Sequence, residues 1–206
     1  MKSKLNMLLV YLNISLFMIT SCASTTLTHV WKDDGYEGRI SNVLVMGVAK
    51  RPATKRFFED EFVNQLQARG ISAIASYKLF PSDGMIAKED ILAKANNRGI
   101  DSFIVTRLVD KQTVETYVPG TVQYAPPYPH RRWHGYYADS YRAVYSPGYT
   151  VQDEVVILET NLYDAKSEGL IWSAMSETFI EGSKDTLVKG FIKKIIESLL
   201  EKNLIK

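Results

Sequence analysis

The chain has 206 residues, 46% hydrophobic and 23% charged, which is the size of one domain and the balance of a globular one. Lys2 and Lys4 are the only charges before residue 22, and from there the count is 23 Lys and Arg against 23 Asp and Glu. A neutral body lacks the basic field that nucleic-acid phosphates require, and a single cysteine excludes an internal disulfide and a cysteine cage for a metal.

Residues 1–21 carry Lys2 and Lys4, then a mostly apolar stretch from Leu5 to Ile19 broken by Asn6, Asn13 and Ser15. A basic start, a short apolar run and small residues at its end describe a secretory signal. The run is too short and too interrupted for a spanning helix, which needs about 20 apolar residues. Ile19-Thr20-Ser21-Cys22 resembles the lipobox of bacterial lipoproteins. That resemblance implies cleavage before Cys22, a diacylglycerol thioether on its sulfur and an acylated new amine. Two or three chains hold a protein firmly, each buried methylene adding about 0.8 kcal/mol. Ala23 and Ser24 follow with no aspartate, a pattern similar to that of lipoproteins sorted to the outer membrane, facing the periplasm.

Residues 23–41 are rich in small and polar side chains and read as a tether, at most about 70 Å long when extended, with Trp31 and Tyr36 packing back on the domain. The domain then runs from 42 to 206. Residues 43–49 form a continuous apolar run, as in a strand covered on both faces. Pro52 and Thr54 open a helix in which Phe58, Phe62 and Leu66 share a face. Glu59, Asp60 and Glu61 fall in its early turns, where the helix dipole favours acids, and Gly70 ends it. Residues 71–77 read as a second strand, 88–98 as a shorter helix ended by Gly99, and 102–118 as a long third strand, apolar first and polar later. Residues 150–164 and 170–180 are strands joined by a hairpin at 165–169. In the second of them, Leu170, Trp172 and Ala174 share a face. Ser183 caps a last helix with Val188, Phe191, Ile192, Ile195 and Leu199 as its apolar stripe. The order is β-α-β-α-β, a long loop, then β-β-α: one α/β domain with a mixed sheet of about five strands and three helices.

That order, with residues 43–49, Gly99-Ile100-Asp101-Ser102-Phe103-Ile104-Val105-Thr106, Leu158-Glu159-Thr160-Asn161-Leu162-Tyr163-Asp164 and Trp172-Ser173, resembles a family of small bacterial lipoproteins over most of residues 30–202. The topology is also similar to the envelope domain shared by the curli secretion lipoprotein, the N-terminal domain of the Tol-system propeller protein and the lipoprotein activators of penicillin-binding proteins. The resemblance implies binding of envelope partners rather than turnover, and it assigns no functional residue here; topology by itself says little about function.

Residues 119–149 are the unusual stretch. These 31 positions hold seven of twelve Tyr, five of seven Pro, two of three His and Trp133. A segment this long without regular structure is usually functional or disordered. Flat rings with polar tips, beside arginine, are the residues that dominate binding hot spots. The candidate partner site is therefore Arg132, Trp133, His134, Tyr136 and Tyr137; the competing reading has these aromatics covering the sheet or extending a hairpin.

Catalytic signals are weak. His130 and His134 have a zinc-like spacing, but two arginines and no glutamate lie between them. No Gly-x-Ser-x-Gly elbow and no phosphate-cradling glycine loop occur. Asp153 and Glu154 point to opposite faces of a strand, and Glu159 lies about 20 Å along it from Asp153. No metal and no cofactor are expected. The reading is a lipid-anchored envelope protein of binding or scaffolding type, its partner an envelope protein or peptidoglycan besides the membrane itself, with self-assembly open. The alternative is an envelope hydrolase or glycan-modifying enzyme using the His134 region.

Overall fold

The computed structural model describes residues 25–80, 85–120, 132–144, 148–180 and 182–206, the side chains of 139–144 excepted. The expected signal sequence, Cys22 and His130 lie outside the described residues. Six strands form one sheet: β1 (Thr25–Lys32), β2 (Asn42–Val48), β3 (Ser72–Ala75), β4 (Ser102–Val118), β5 (Tyr149–Asp164) and β6 (Leu170–Phe179). Among the described residues five helices accompany them: α1 (Pro52–Gln67), α2 (Ser76–Leu79), α3 (Lys88–Asn97), α4 (Trp133–Val144) and α5 (Lys184–Glu201). The strand order is β1-β6-β5-β4-β2-β3. β2 pairs parallel with β3 and β4, and the remaining pairs are antiparallel. The mixed α/β sheet is as expected, with one strand and two helices more.

One face is closed by α1 and α5. Phe62, Val63 and Leu66 of α1, with Phe191, Ile192, Ile195, Ile196 and Leu199 of α5, pack on Val43, Val45, Ile104, Leu162, Trp172 and Ala174. Each large side chain so buried contributes about 1.5–3 kcal/mol of transfer free energy. The Ser183 hydroxyl accepts the Thr186 N–H at 3.2 Å and starts α5, as its sequence promises. Gly70 and Gly99, at φ +78° and +62°, end α1 and α3 in the left-handed conformation that glycine adopts without strain. On the other face Ala95 and Ile91 of α3, with Leu79 and Phe80, cover Leu44, Ile74 and Phe103. That second layer sits over the β2–β3–β4 half only.

Three expectations are corrected. Residues 25–32 are no tether: they form β1, an edge strand paired with β6 from Thr25↔Thr178 to Lys32↔Trp172, and the two threonine hydroxyls meet at 2.9 Å in a buried site. Two residues thus separate Cys22 from the folded sheet, because threonine suits a pleated surface and β6 otherwise has an open edge. Tyr36 does pack on the core, whereas Trp31 stays 50% exposed. The strand expected over 71–77 stops at Ala75 and turns into α2. Finally, the helix with Glu59 starts at Pro52 and has no acid in its first turn, so Glu59 is not there to meet the helix dipole. It is fully buried, Oε1 accepting from Gly47 N–H at 2.8 Å and from the Ser76 hydroxyl at 2.7 Å, and Oε2 from Tyr77 N–H at 3.1 Å. One carboxylate therefore joins α1, the end of β2 and the start of α2.

Candidate functional site

The long ladder of β4 with β5 outruns the rest of the sheet. The last partner of β2 on β4 is Arg107, opposite Val48, and β6 reaches β5 only as far as Val155, opposite Phe179. Beyond that point β4 and β5 continue alone to Val118↔Tyr149. Residues 113–118 are six steps, about 20 Å of two-stranded ribbon. An isolated ribbon is marginal in water, and cross-strand polar pairs help hold this one. Lys111 Nζ meets Glu154 at 2.6 Å, and Gln152 donates to Glu115, directly opposite, at 2.7 Å. Asp110 is held below the usual carboxylate range, first by the Gln112 amide and then by the Lys111 N–H. The shaft carries Asp110, Glu115, Asp153 and Glu154 against Lys111, whereas 116–118 and 149–151 carry no acid or base. At this neutral tip Tyr117 and Tyr149 are 65% and 62% exposed. The Tyr117 ring lies across Gly148, where a Cβ would come 2.6 Å from the ring carbon bearing the hydroxyl.

Part of the stretch expected as a loop is a helix. In α4, Trp133 is followed at i+3 and i+4 by Tyr136 and Tyr137, the spacing that puts three rings on one face. Arg132 immediately precedes the helix, and His134 stacks edge-on against Trp133, ring centroids 5.5 Å apart at 77°. All five sequence candidates are exposed, Trp133 most of all at 78%, and the structure brings them into little more than one helical turn. Trp133, Tyr136 and Tyr137 keep most of their ring surface exposed, at 78%, 63% and 58%. Its C-terminal end stays at the ribbon tip: four chain steps from Val144 to Gly148 reach about 14 Å at most.

Two further surfaces were not legible beforehand. Among the described residues no helix covers the sheet face opposite α1 and α5 across β4, β5, β6 and β1. That face presents half-buried Val105, Asn161 and Met175, exposed Trp31 and His29, and an Arg107–Glu159 ion pair. A cleft of about 480 Å³ is lined by Lys78, Leu79, Lys94, Asn97 and Arg98. Its ammonium groups are committed, Lys78 to Asp60 at 2.9 Å and Lys94 to the Leu79 carbonyl at 2.6 Å. Among the described residues no three His, Cys, Asp or Glu converge as a metal site, and no helix is long and apolar enough to cross a membrane.

No family model and no curated protein matches the chain, so the family resemblance drawn from its motifs has no family-level match behind it. Among solved structures the chain is similar to the PelC dodecamer of Paraburkholderia phytofirmans, at 15% identity and a TM-score of 0.47, over 85% of this chain and 96% of that one. It is similar to lipoprotein GNA1162 of Neisseria meningitidis at 12% identity and a TM-score of 0.42, over 78% and 99%. A neuraminyllactose-binding hemagglutinin homolog of Helicobacter pylori gives 14% and 0.37, over 84% and 94%.

Proposed function

We propose that this is a lipid-anchored bacterial envelope protein, fixed through Cys22 to the periplasmic side of the outer membrane, that works by binding or scaffolding and not by turnover. The observation that carries this reading is the aromatic cluster of Trp133, Tyr136 and Tyr137. Its three rings are 78%, 63% and 58% exposed, on a helix tied through Gly148 to the end of the ribbon. Clustered exposed aromatics are rare on a surface that meets only water. The contact surface is α4 with Arg132 and the ribbon tip.

A photo-crosslinking residue at position 136 in intact cells should give a defined adduct, which mass spectrometry identifies. Replacing Trp133 and Tyr137 with Ala should remove that adduct while leaving Tm nearly unchanged; an equal loss of stability would make them packing residues. Alanine at His130 and His134 should leave the adduct in place, whereas loss of all function from either change would favour an enzyme. Palmitate labelling of wild type and Cys22→Ala tests the anchor separately.

A further inference from the structure

We infer that the partner of the aromatic helix is the lipid bilayer itself, and that α4 and the ribbon tip set the height and tilt of the body on the membrane. The inference rests on the proposed anchor at Cys22. Thr25, Thr178, Val156 and Lys111 form one continuous rung across β1, β6, β5 and β4. The chain leaves β1 at this rung toward Cys22, and the ribbon leaves the sheet at the same rung in the same direction. Cys22 is three chain steps from Thr25, about 11 Å at full stretch, and its lipids place it at headgroup depth. The ribbon extends about 23 Å past the rung. The lead is therefore shorter than the ribbon by about half, and with Cys22 at headgroup depth an upright ribbon would run about 12 Å past the interface. The body therefore leans, which lays the ribbon along the surface and brings its tip, with α4 tied to it, into the interface.

The chemistry at the tip fits that place. Tyr and Trp rings concentrate at the membrane–water boundary, where an apolar body and a polar tip are both satisfied. Tyr117 and Tyr149 lie at this end, the helix that carries Trp133, Tyr136 and Tyr137 is tied to it through Gly148, and the last three rungs of the ribbon have no charge to desolvate. The acids are confined to the shaft, and Arg132 beside the rings suits lipid phosphate. An amphipathic helix with aromatics on one face lies in the interface plane. Because the acyl chains already secure the protein, the helix adds orientation more than affinity.

The test reconstitutes the native lipidated chain in phosphatidylethanolamine and phosphatidylglycerol vesicles, with and without dibrominated acyl chains, and reads tryptophan emission. Of the three tryptophans, Trp172 is fully buried, and Trp31 is six residues along β1 from Thr25, about 20 Å back from the rung. Brominated lipid should lower the emission of the wild type, and Trp133→Phe should abolish most of that decrease. Equal quenching in the two chains, with the N-terminal peptide carrying lipid by mass, overturns the inference and leaves the binding reading standing. A free thiol at Cys22 removes the anchor and the geometry with it, so the two failures are told apart. Adducts from position 136 to a second copy or another protein, without brominated-lipid quenching, likewise overturn it.

Discussion

Glu59 offers the sharpest test of how the sheet is held at the root of the ribbon. In Glu59→Ala the N–H groups of Gly47 and Tyr77 and the hydroxyl of Ser76 lose their acceptor. The hydroxyl can turn elsewhere; the Gly47 N–H, at the buried end of β2, cannot. An orphaned buried donor costs about 1–3 kcal/mol, so leaving two backbone N–H groups without an acceptor and losing the carboxylate packing costs about 3–5 kcal/mol. For a domain of this size each kcal/mol lowers Tm by about 2–4 °C, which predicts a fall of about 10 °C. Glu59→Gln keeps one oxygen for Gly47 and Ser76 but turns an amide donor toward the Tyr77 N–H, so it should lie between Ala and wild type. Urea titration followed by far-UV circular dichroism reads both, with the slope unchanged if the denatured state is unaffected. An alanine variant within about 2 °C of wild type, or a glutamine variant as damaging as alanine, would refute the account of the carboxylate as a joint between α1, β2 and α2.

Asp101→Ala should destabilise by about 2–3 kcal/mol, because its Oδ2 accepts from Ser41 N–H, the Ser41 hydroxyl and Asn42 N–H at 2.9, 2.8 and 3.0 Å; hydrogen exchange at the start of β2 should rise with it. Asp164 sits in the hairpin before β6, where the Ser167 N–H, against some desolvation and with help from the Ser167 hydroxyl and the Lys166 N–H, lowers its pKa. A lowered folded pKa gives stability that is present above the unfolded value of about 3.9 and fades as pH falls through the folded one. Asp164→Ala should therefore cost about 1 kcal/mol at pH 7 after solvent screening, and the gap from wild type should close below about pH 4 in denaturant melts. Gly148→Val places a side chain where the Val118 carbonyl is 2.8 Å from a Cβ and the Tyr117 ring is nearer still. It should loosen the last ribbon rungs, seen as faster amide exchange at Tyr117 and Val118, and leave Tm of the body unchanged within about 2 °C.

Strong local patterns were readable from the chain alone. The apolar run at β2, the stripe of α5 with Ser183 before it and the hairpin at 165–169 each carry their own signal. β1 was missed because its partner, β6, lies 153 residues away at Thr178, and no local window shows whether a threonine-rich stretch finds an edge. Glu59 was missed because Asp60 and Glu61 beside it look like a solvated acidic turn. Its position at i−3 from Phe62 and i−7 from Leu66 puts it on the buried stripe, and that spacing could have found it. The helix at α4 was hidden by the proline and histidine count around it, although 133, 136 and 137 already had helical spacing. The open sheet face follows from which strands the helices cover, a tertiary choice that strand alternation leaves undetermined.

The pairing of β1 with β6 also sets an order of events. The first strand of the chain has no neighbour until almost the last one exists, so the sheet closes through its longest loop, the slowest class of contact to form. As the chain is made, β1 stays without its partner while about 150 further residues follow. That edge of the sheet is therefore sealed late, and the arrival of Thr178 completes it.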